Sequence, residues 1–148
     1  MNIRFAAAKD KVKILKLFDE FGEYIHAAEI PSKVGEAIYD EIISREDTKI
    51  FIVEDNGKIL GLCTFYLLPS IRHGWKRGHI EDFFLTKTAR NKGVGTFLLN
   101  SIKEYCRKNK IKVIKLHSGN DLAKAHHFYE KNGGESTERF FRLDIDKR

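Results

Sequence analysis

The sequence predicts an α/β fold, α+β in the sense of a mixed sheet, with strands and helices in the order β-α-α-β-β-β-α-β-α-β and helices flanking a central sheet. Three observations carry this. Apolar residues switch along the chain between a two-residue and a 3.6-residue period. Asp55-Asn56-Gly57 separates two strand-like runs as a tight hairpin turn. Further on, an amphipathic helix lies between two apolar strands, which makes a parallel β-α-β unit behind the early antiparallel hairpins.

The elements follow in order. Ile3–Ala7 reads as a short strand. Asp10 suits the N-cap of a helix over residues 11–21, with Ile14, Leu15, Leu17, Phe18 and Phe21 on one face. Pro31-Ser32 opens a second helix, 33–45, with Val34, Ile38 and Ile42 inward. Ile50–Glu54 and Lys58–Leu68 form the hairpin. Pro69–Gly78 reads as a loop, and His79–Thr86 as a strand. Residues 93–107 form a helix with Val94, Phe97, Leu98, Ile102, Tyr105 and Cys106 on its apolar stripe. Ile111–His117 reads as a buried central strand. Residues 121–132 form a helix ended by Gly133-Gly134. Glu138–Ile145 alternates weakly and reads as a closing strand.

Composition narrows the class. The 148 residues are 42% hydrophobic, enough for one domain, 1–148, with its own core. Apolar runs are too short for a membrane span. The first residues lack the apolar stretch of a signal peptide. Cys63 and Cys106 have no CxxC partner, which argues against a zinc module and a disulfide framework and for a reducing, cytoplasmic setting. Charge is uneven. Residues 1–50 carry 8 Lys/Arg against 10 Asp/Glu, and the rest carry 19 against 11, so a net of −2 is followed by +8. The basic part suits an anionic ligand.

The most informative segment is Thr86-Lys87-Thr88-Ala89-Arg90-Asn91-Lys92-Gly93-Val94-Gly95-Thr96, between a strand and an amphipathic helix. Two glycines spaced by one residue let backbone approach a ligand closely. The first N–H groups of the helix have no intrahelical partner and sit at the positive end of its dipole. Together they form an anion site suited to a pyrophosphate. Neither a Walker A loop nor a GxGxxG fingerprint is present.

With these residues in view, His79–Leu99 (HIEDFFLTKTARNKGVGTFLL) resembles the acetyl-CoA signature of the GNAT superfamily of N-acetyltransferases: a strand, then Arg/Gln-x-x-Gly-x-Gly/Ala, then a helix. Some 35 residues on, Phe128-Tyr129-Glu130-Lys131-Asn132-Gly133 resembles the family's Phe-Tyr-x-Lys-x-Gly. The resemblance covers nearly the whole chain, and the strand order fits. It implies that the backbone from Arg90 through Asn91, Lys92, Gly93, Val94 and Gly95 to Thr96 holds the pyrophosphate of acetyl-CoA. It also implies that Phe84 and Leu85 pair with the pantetheine arm like an added strand. The next strand would splay away to admit the thioester, and a backbone N–H near Phe84 or Leu85 would polarise its carbonyl. Small members of the family are often homodimers, so the resemblance implies one here.

Acetylating an amine at neutral pH poses a proton problem. An alkylammonium titrates near lysine's value of about 10.4 and must lose a proton before attack, while the departing thiolate gains one. Glu81 resembles the strand glutamate that serves many GNAT enzymes as base, often through water, and burial would tune it. Asp82 is its rival. Strict alternation would put the two on opposite faces. Tyr129 matches the tyrosine of the Phe-Tyr pair and is the candidate acid. The family often has Asn seven residues before that tyrosine, where this chain has Leu122. Asn120 could take its role of touching the CoA arm. Gly134 stands where an aromatic commonly follows.

The first two helices and their connection usually wall the acceptor site in this superfamily. Here they include Glu23, Tyr24 and His26, an acidic and aromatic set suited to a small cationic amine or diamine. Ile80-Glu81-Asp82-Phe83-Phe84 also resembles the small-amine and polyamine branch. A protein lysine or N-terminus is the alternative acceptor. A CoA-binding regulator and a basic nucleic-acid module built on Arg107-Lys108-Asn109-Lys110-Ile111-Lys112 are rivals of another class, but that run lacks interleaved aromatics. No nucleic acid, membrane or metal is expected. The six histidines show no ligand spacing, and Cys63 has no readable partners for a nucleophile.

Overall fold

The computed structural model describes residues 1–25 and 32–145. The expectations for His26 and Pro31 lie outside the described residues. Two compact units are distinguished, Met1–Leu116 and His117–Arg148, and each is described by itself.

The first unit holds a five-stranded mixed sheet. Its elements are β1 (Asn2–Phe5), α1 (Lys11–Ile25), α2 (Ser32–Ser44), β2 (Thr48–Asp55), β3 (Lys58–Ser70), β4 (Trp75–Leu85), α3 (Val94–Lys108) and β5 (Ile114–Leu116). The strands lie in chain order, antiparallel from β1 to β4 and parallel between β4 and β5. Asn56 (φ 48°) and Gly57 (φ 74°) both adopt left-handed backbone, the two-residue type I′ turn that the Asn-Gly pair predicts between β2 and β3.

Alternation along β2 and β3 gives the sheet two buried faces. On one, Ile14 of α1 and Tyr39 of α2 pack with Ile50, Ile52, Ile59 and Leu62, all 8% exposed or less. On the other, Phe51, Phe65 and Tyr105 meet edge to face at 5.3–6.1 Å, beside the buried Leu98, Ile102 and Cys106 of α3. Both faces being covered explains the long apolar runs in β2 and β3.

Several expectations are corrected. Asp10 does not cap α1. It closes the 3₁₀ turn Ala8–Asp10 by accepting the Ala7 N–H at 2.9 Å. α1 runs on to Ile25. Among the described side chains of α2 the inward groups include Tyr39, Ile42 and Ile43, while Ile38 is 49% exposed; the expectation for the Val34 side chain lies outside the described residues. Pro69–Gly78 is mostly strand, because pairing of β3 with β4 extends to Ser70 opposite Trp75 and leaves only residues 71–74 as a turn. β5 is three half-buried residues at the sheet edge, not a long buried central strand. Residues 138–145 form no strand, and Phe140, Phe141, Leu143 and Ile145 are 63–90% exposed.

In the second unit α4 (Ala123–Lys131) ends as expected. The Gly134 N–H donates to the Tyr129 carbonyl and the Gly133 N–H to the Glu130 carbonyl, the paired bonds of a Schellman cap.

One ion cluster ties the first unit together. Arg4 donates to both Asp10 oxygens at 2.7 and 2.8 Å and to Glu54 at 3.0 Å. The Arg4 guanidinium holds the buried Asp10 carboxyl down at about 2, against an ordinary 3.8. That difference corresponds to ~2 kcal/mol of folding stability. A depressed carboxyl contributes fully above the unfolded value, so the contribution is complete above pH ~4 and is lost as pH falls from there through 2. Urea unfolding of Asp10→Asn should therefore show a loss of about 2 kcal/mol at pH 7 that largely disappears at pH 2. An equal loss at both pH values would contradict this account of Asp10.

Candidate active site

The site is built on the far half of β4. β5 pairs with β4 only at Gly78, His79 and Ile80 and ends at Leu116. From Glu81 to Leu85, β4 keeps β3 on one edge, and its other edge has no strand partner among the described residues. Backbone groups alternate between the edges of a strand. Thr86 donates to the Leu60 carbonyl on the β3 side, so Leu85 turns the other way, where its carbonyl accepts from Arg90 Nε at 3.1 Å. Leu85 thus offers its N–H along the open edge, the arrangement that an extended ligand arm can join.

A β-bulge sits at the start of this half. Thr64 is opposite Asp82 and Phe65 is opposite Ile80, so Glu81 is the extra residue. The bulge corrects the expected alternation. His79 lies opposite Tyr66 and Asp82 opposite Thr64, two positions on the same face of β3. Glu81 reaches His79 Nε2 with Oε2 at 3.0 Å. The imidazole and both carboxylates therefore share the sheet face that carries α1 and α2. The expected burial of Glu81 is also corrected, since its side chain is 59% exposed. Asp82 is the more enclosed group. Burial raises its carboxyl above the usual range, partly offset by a hydrogen bond from the Thr64 hydroxyl.

The loop after β4 has the expected form. Asn91 (φ 59°) and Gly93 (φ 78°) adopt left-handed backbone, and Gly93 caps α3. A Cβ built on Gly93 would meet no atom within 4 Å, so the backbone lies bare toward open space. The first helical bond runs from the Phe97 N–H to the Gly93 carbonyl. The N–H groups of Val94, Gly95 and Thr96 thus precede it, at the positive end of a 15-residue helix. Asn91, Lys92 and Thr96 are exposed around this end, while Val94 and Gly95 are buried. These features fit a pyrophosphate.

α1 grips this loop through residues that the sequence did not single out for it. Glu20 accepts the Lys87 N–H at 2.8 Å, and Phe21 packs on the Phe84 ring at 4.9 Å. Tyr24, expected in the acceptor wall, lies under the Arg90 guanidinium at 4.2 Å. Arg90 is therefore held by Tyr24, Phe84 and the Leu85 carbonyl at the end of β4. Glu23 is exposed near the end of α1. The available signal was the 3.6-residue period that puts Glu20 and Tyr24 one turn apart.

In the second unit, Asn120 lies exposed in the turn before α4. Tyr129 is half-buried on α4, its ring 5.2 Å from Phe128. His126 Nε2 meets the Gly119 carbonyl at 2.8 Å and braces that turn. Among the described residues no three His, Cys, Asp or Glu side chains gather as a metal site. Both thiols are buried, and burial pushes Cys63 well up and Cys106 to about 11, which disfavours a thiolate nucleophile. The basic run begins in the last turn of α3, where Arg107 and Lys108 lie beside Glu104 at 3.3 and 3.8 Å.

Residues 13–134 match the acetyltransferase (GNAT) family, and the chain belongs to that family. It is similar to the uncharacterized N-acetyltransferase YhfO of Bacillus subtilis (strain 168), with 32% identity over 95% of this chain and 93% of that one. It is 35% identical to the glucosamine 6-phosphate N-acetyltransferase of Trypanosoma brucei brucei over 66% of this chain and 65% of that one. The fold matches a ribosomal-protein-alanine N-acetyltransferase from Brucella melitensis biovar Abortus 2308, with TM-score 0.82 and 13% identity over 97% of this chain and 98% of that one. It also matches a transcriptional regulator from Bacillus halodurans C-125, with TM-score 0.87 and 19% identity over 97% and 99%. The chain is an acyltransferase of the N-acetyl-transfer class, whose family uses acetyl-CoA as donor. The acceptors in these names are diverse, so the fold does not choose one. No helix among the described residues is long and apolar enough to cross a membrane.

Proposed function

We propose that this chain moves the acetyl group of acetyl-CoA to the primary amine of a small cationic acceptor, an alkylamine or diamine, by direct attack in a ternary complex. The observation that carries the reading is the cluster of Glu81, Asp82 and His79 on the sheet face beneath α1 and α2, next to the open edge of β4. Two carboxylates there favour an ammonium over a neutral or anionic acceptor. Glu23, Tyr24 and His26 are assigned to the acceptor wall in this reading, Tyr24 with one ring face already taken by Arg90.

The bare backbone from Arg90 to Thr96 binds the pyrophosphate, and Phe84 and Leu85 align the pantetheine arm. Asn120 is assigned to that arm as well. Glu81 takes one proton from the ammonium, through an intervening water. The freed nitrogen lone pair forms the N–C bond at the thioester carbonyl, whose oxygen accepts from the Leu85 N–H. The C–S bond breaks, its electron pair leaves on sulfur, and the Tyr129 hydroxyl supplies the proton to that thiolate. The second proton on nitrogen passes to solvent as the amide forms. The Tyr129 assignment is supported by its place in Phe-Tyr-x-Lys-x-Gly. Tyr129→Phe should lower kcat by about 10- to 100-fold with little change in acetyl-CoA affinity. An unchanged kcat would remove Tyr129 from the mechanism.

The reading as a whole is tested by thiol release from acetyl-CoA with a panel of monoamines, diamines, amino sugars and peptides. Fastest release on amines bearing a second positive charge supports it. Release only on peptides would transfer the activity to a protein lysine or N-terminal acceptor, and release only on an amino sugar phosphate would overturn the cationic acceptor. A homodimer in a reducing cytoplasm is part of the same proposal, from the family's habits and the two unpaired thiols.

A further inference from the structure

We propose that His79 is a positioning residue that fixes the Glu81 carboxylate in its proton-accepting orientation. This rests on the reading of Glu81 as base. Glu81 occupies the bulge, where ladder pairing is absent and the side chain is re-aimed out of strict alternation. Its side chain is 59% exposed and long, so without a partner it would sample many rotamers. The His79 side chain is only 12% exposed and is flanked by strands on both sides, opposite Tyr66 on β3 and Lys115 on β5. It is thus an anchored group beside a loose one.

The contact also sets the proton positions. A carboxylate only accepts, so the hydrogen in the 3.0 Å contact is on His79 Nε2. Oε2 of Glu81 is engaged by that bond, and Oε1 is the oxygen left to take the proton from the amine by way of water. Asp82 and Tyr66 lie on the same face, and neither has a hydrogen bond to Glu81 among those described.

A double-mutant cycle tests this, with kcat and KM measured for the best amine and acetyl-CoA binding followed as a folding control. His79→Ala should lower kcat about tenfold and leave acetyl-CoA affinity unchanged. His79→Gln, which keeps an N–H at a similar reach, should restore most of that loss. In the Glu81→Gln background, His79→Ala should cost nothing further. If Glu81→Gln is impaired but His79→Ala turns over like the parent, the positioning role is overturned and the base survives. An equal tenfold cost in both backgrounds also overturns it, since His79 would then act elsewhere. If Glu81→Gln itself is fully active, the base assignment fails and this proposal falls with it.

Discussion

Gly93→Val should abolish acetyl-CoA binding while leaving the chain folded. No atom lies within 4 Å of a Cβ at Gly93, so the side chain enters open space and not the core. That open space lies over the amides that lead into α3, where the pyrophosphate is to sit. A branched side chain there should weaken binding by at least about 100-fold, the effect of losing several charge-assisted hydrogen bonds together. Valine at φ 78° also strains the backbone, by ~1–2 kcal/mol. Gly57→Val supplies the control, because Gly57 has φ 74° and equally open surroundings, in the turn between β2 and β3. Both variants should lose a few degrees of Tm, and only Gly93→Val should lose the thermal shift with acetyl-CoA. If both keep the shift, the pyrophosphate is not on this loop.

Glu81→Gln should lower kcat by about 100-fold or more with small effects on both KM values, as expected for loss of a general base that binds neither substrate strongly. The comparison variant is Asp82→Asn. The bulge puts both carboxylates on one face, so geometry no longer separates them as strict alternation would. Their surroundings do. Glu81 is exposed and hydrogen-bonded to His79, while Asp82 is more enclosed, raised by burial and bonded by Thr64. Burial tunes Asp82 toward accepting a proton, so the two variants decide the assignment: with Glu81 as base, Asp82→Asn acts mainly on the amine KM. The reverse pattern, with Asp82→Asn losing kcat and Glu81→Gln keeping it, would make Asp82 the base.

The loop from Arg90 to Thr96 was legible because its glycines, its cations and the following helix all lie within a dozen residues, and local physics places them. The type I′ turn at Asn56-Gly57 and the double cap after α4 were legible for the same reason. The bulge at Glu81 was not. A bulge depends on how Thr64 and Phe65 register against Ile80 and Asp82, and no local pattern in β4 announces a skipped pair. The grip of Glu20, Phe21 and Tyr24 on the loop was equally hidden, since it joins residues more than sixty positions apart. Pro69–Gly78 reads as a loop because it is rich in Arg, His and Gly, although strand pairing continues through most of the segment. Ile38 was misplaced because a helix face read from single apolar residues can be one position out, and here the neighbouring Tyr39 is the one in the core.

In the proposed function the bare-backbone loop between β4 and α3 binds acetyl-CoA for transfer to an amine. The most direct measurement is a thermal-shift titration of the intact chain with acetyl-CoA, followed in the same sample by thiol release on adding a diamine. The account gives a Tm that rises with acetyl-CoA, because the ligand binds only the folded state, and free thiol that appears once the amine is added. No shift at saturating acetyl-CoA, or a shift with no thiol from any amine, would contradict it.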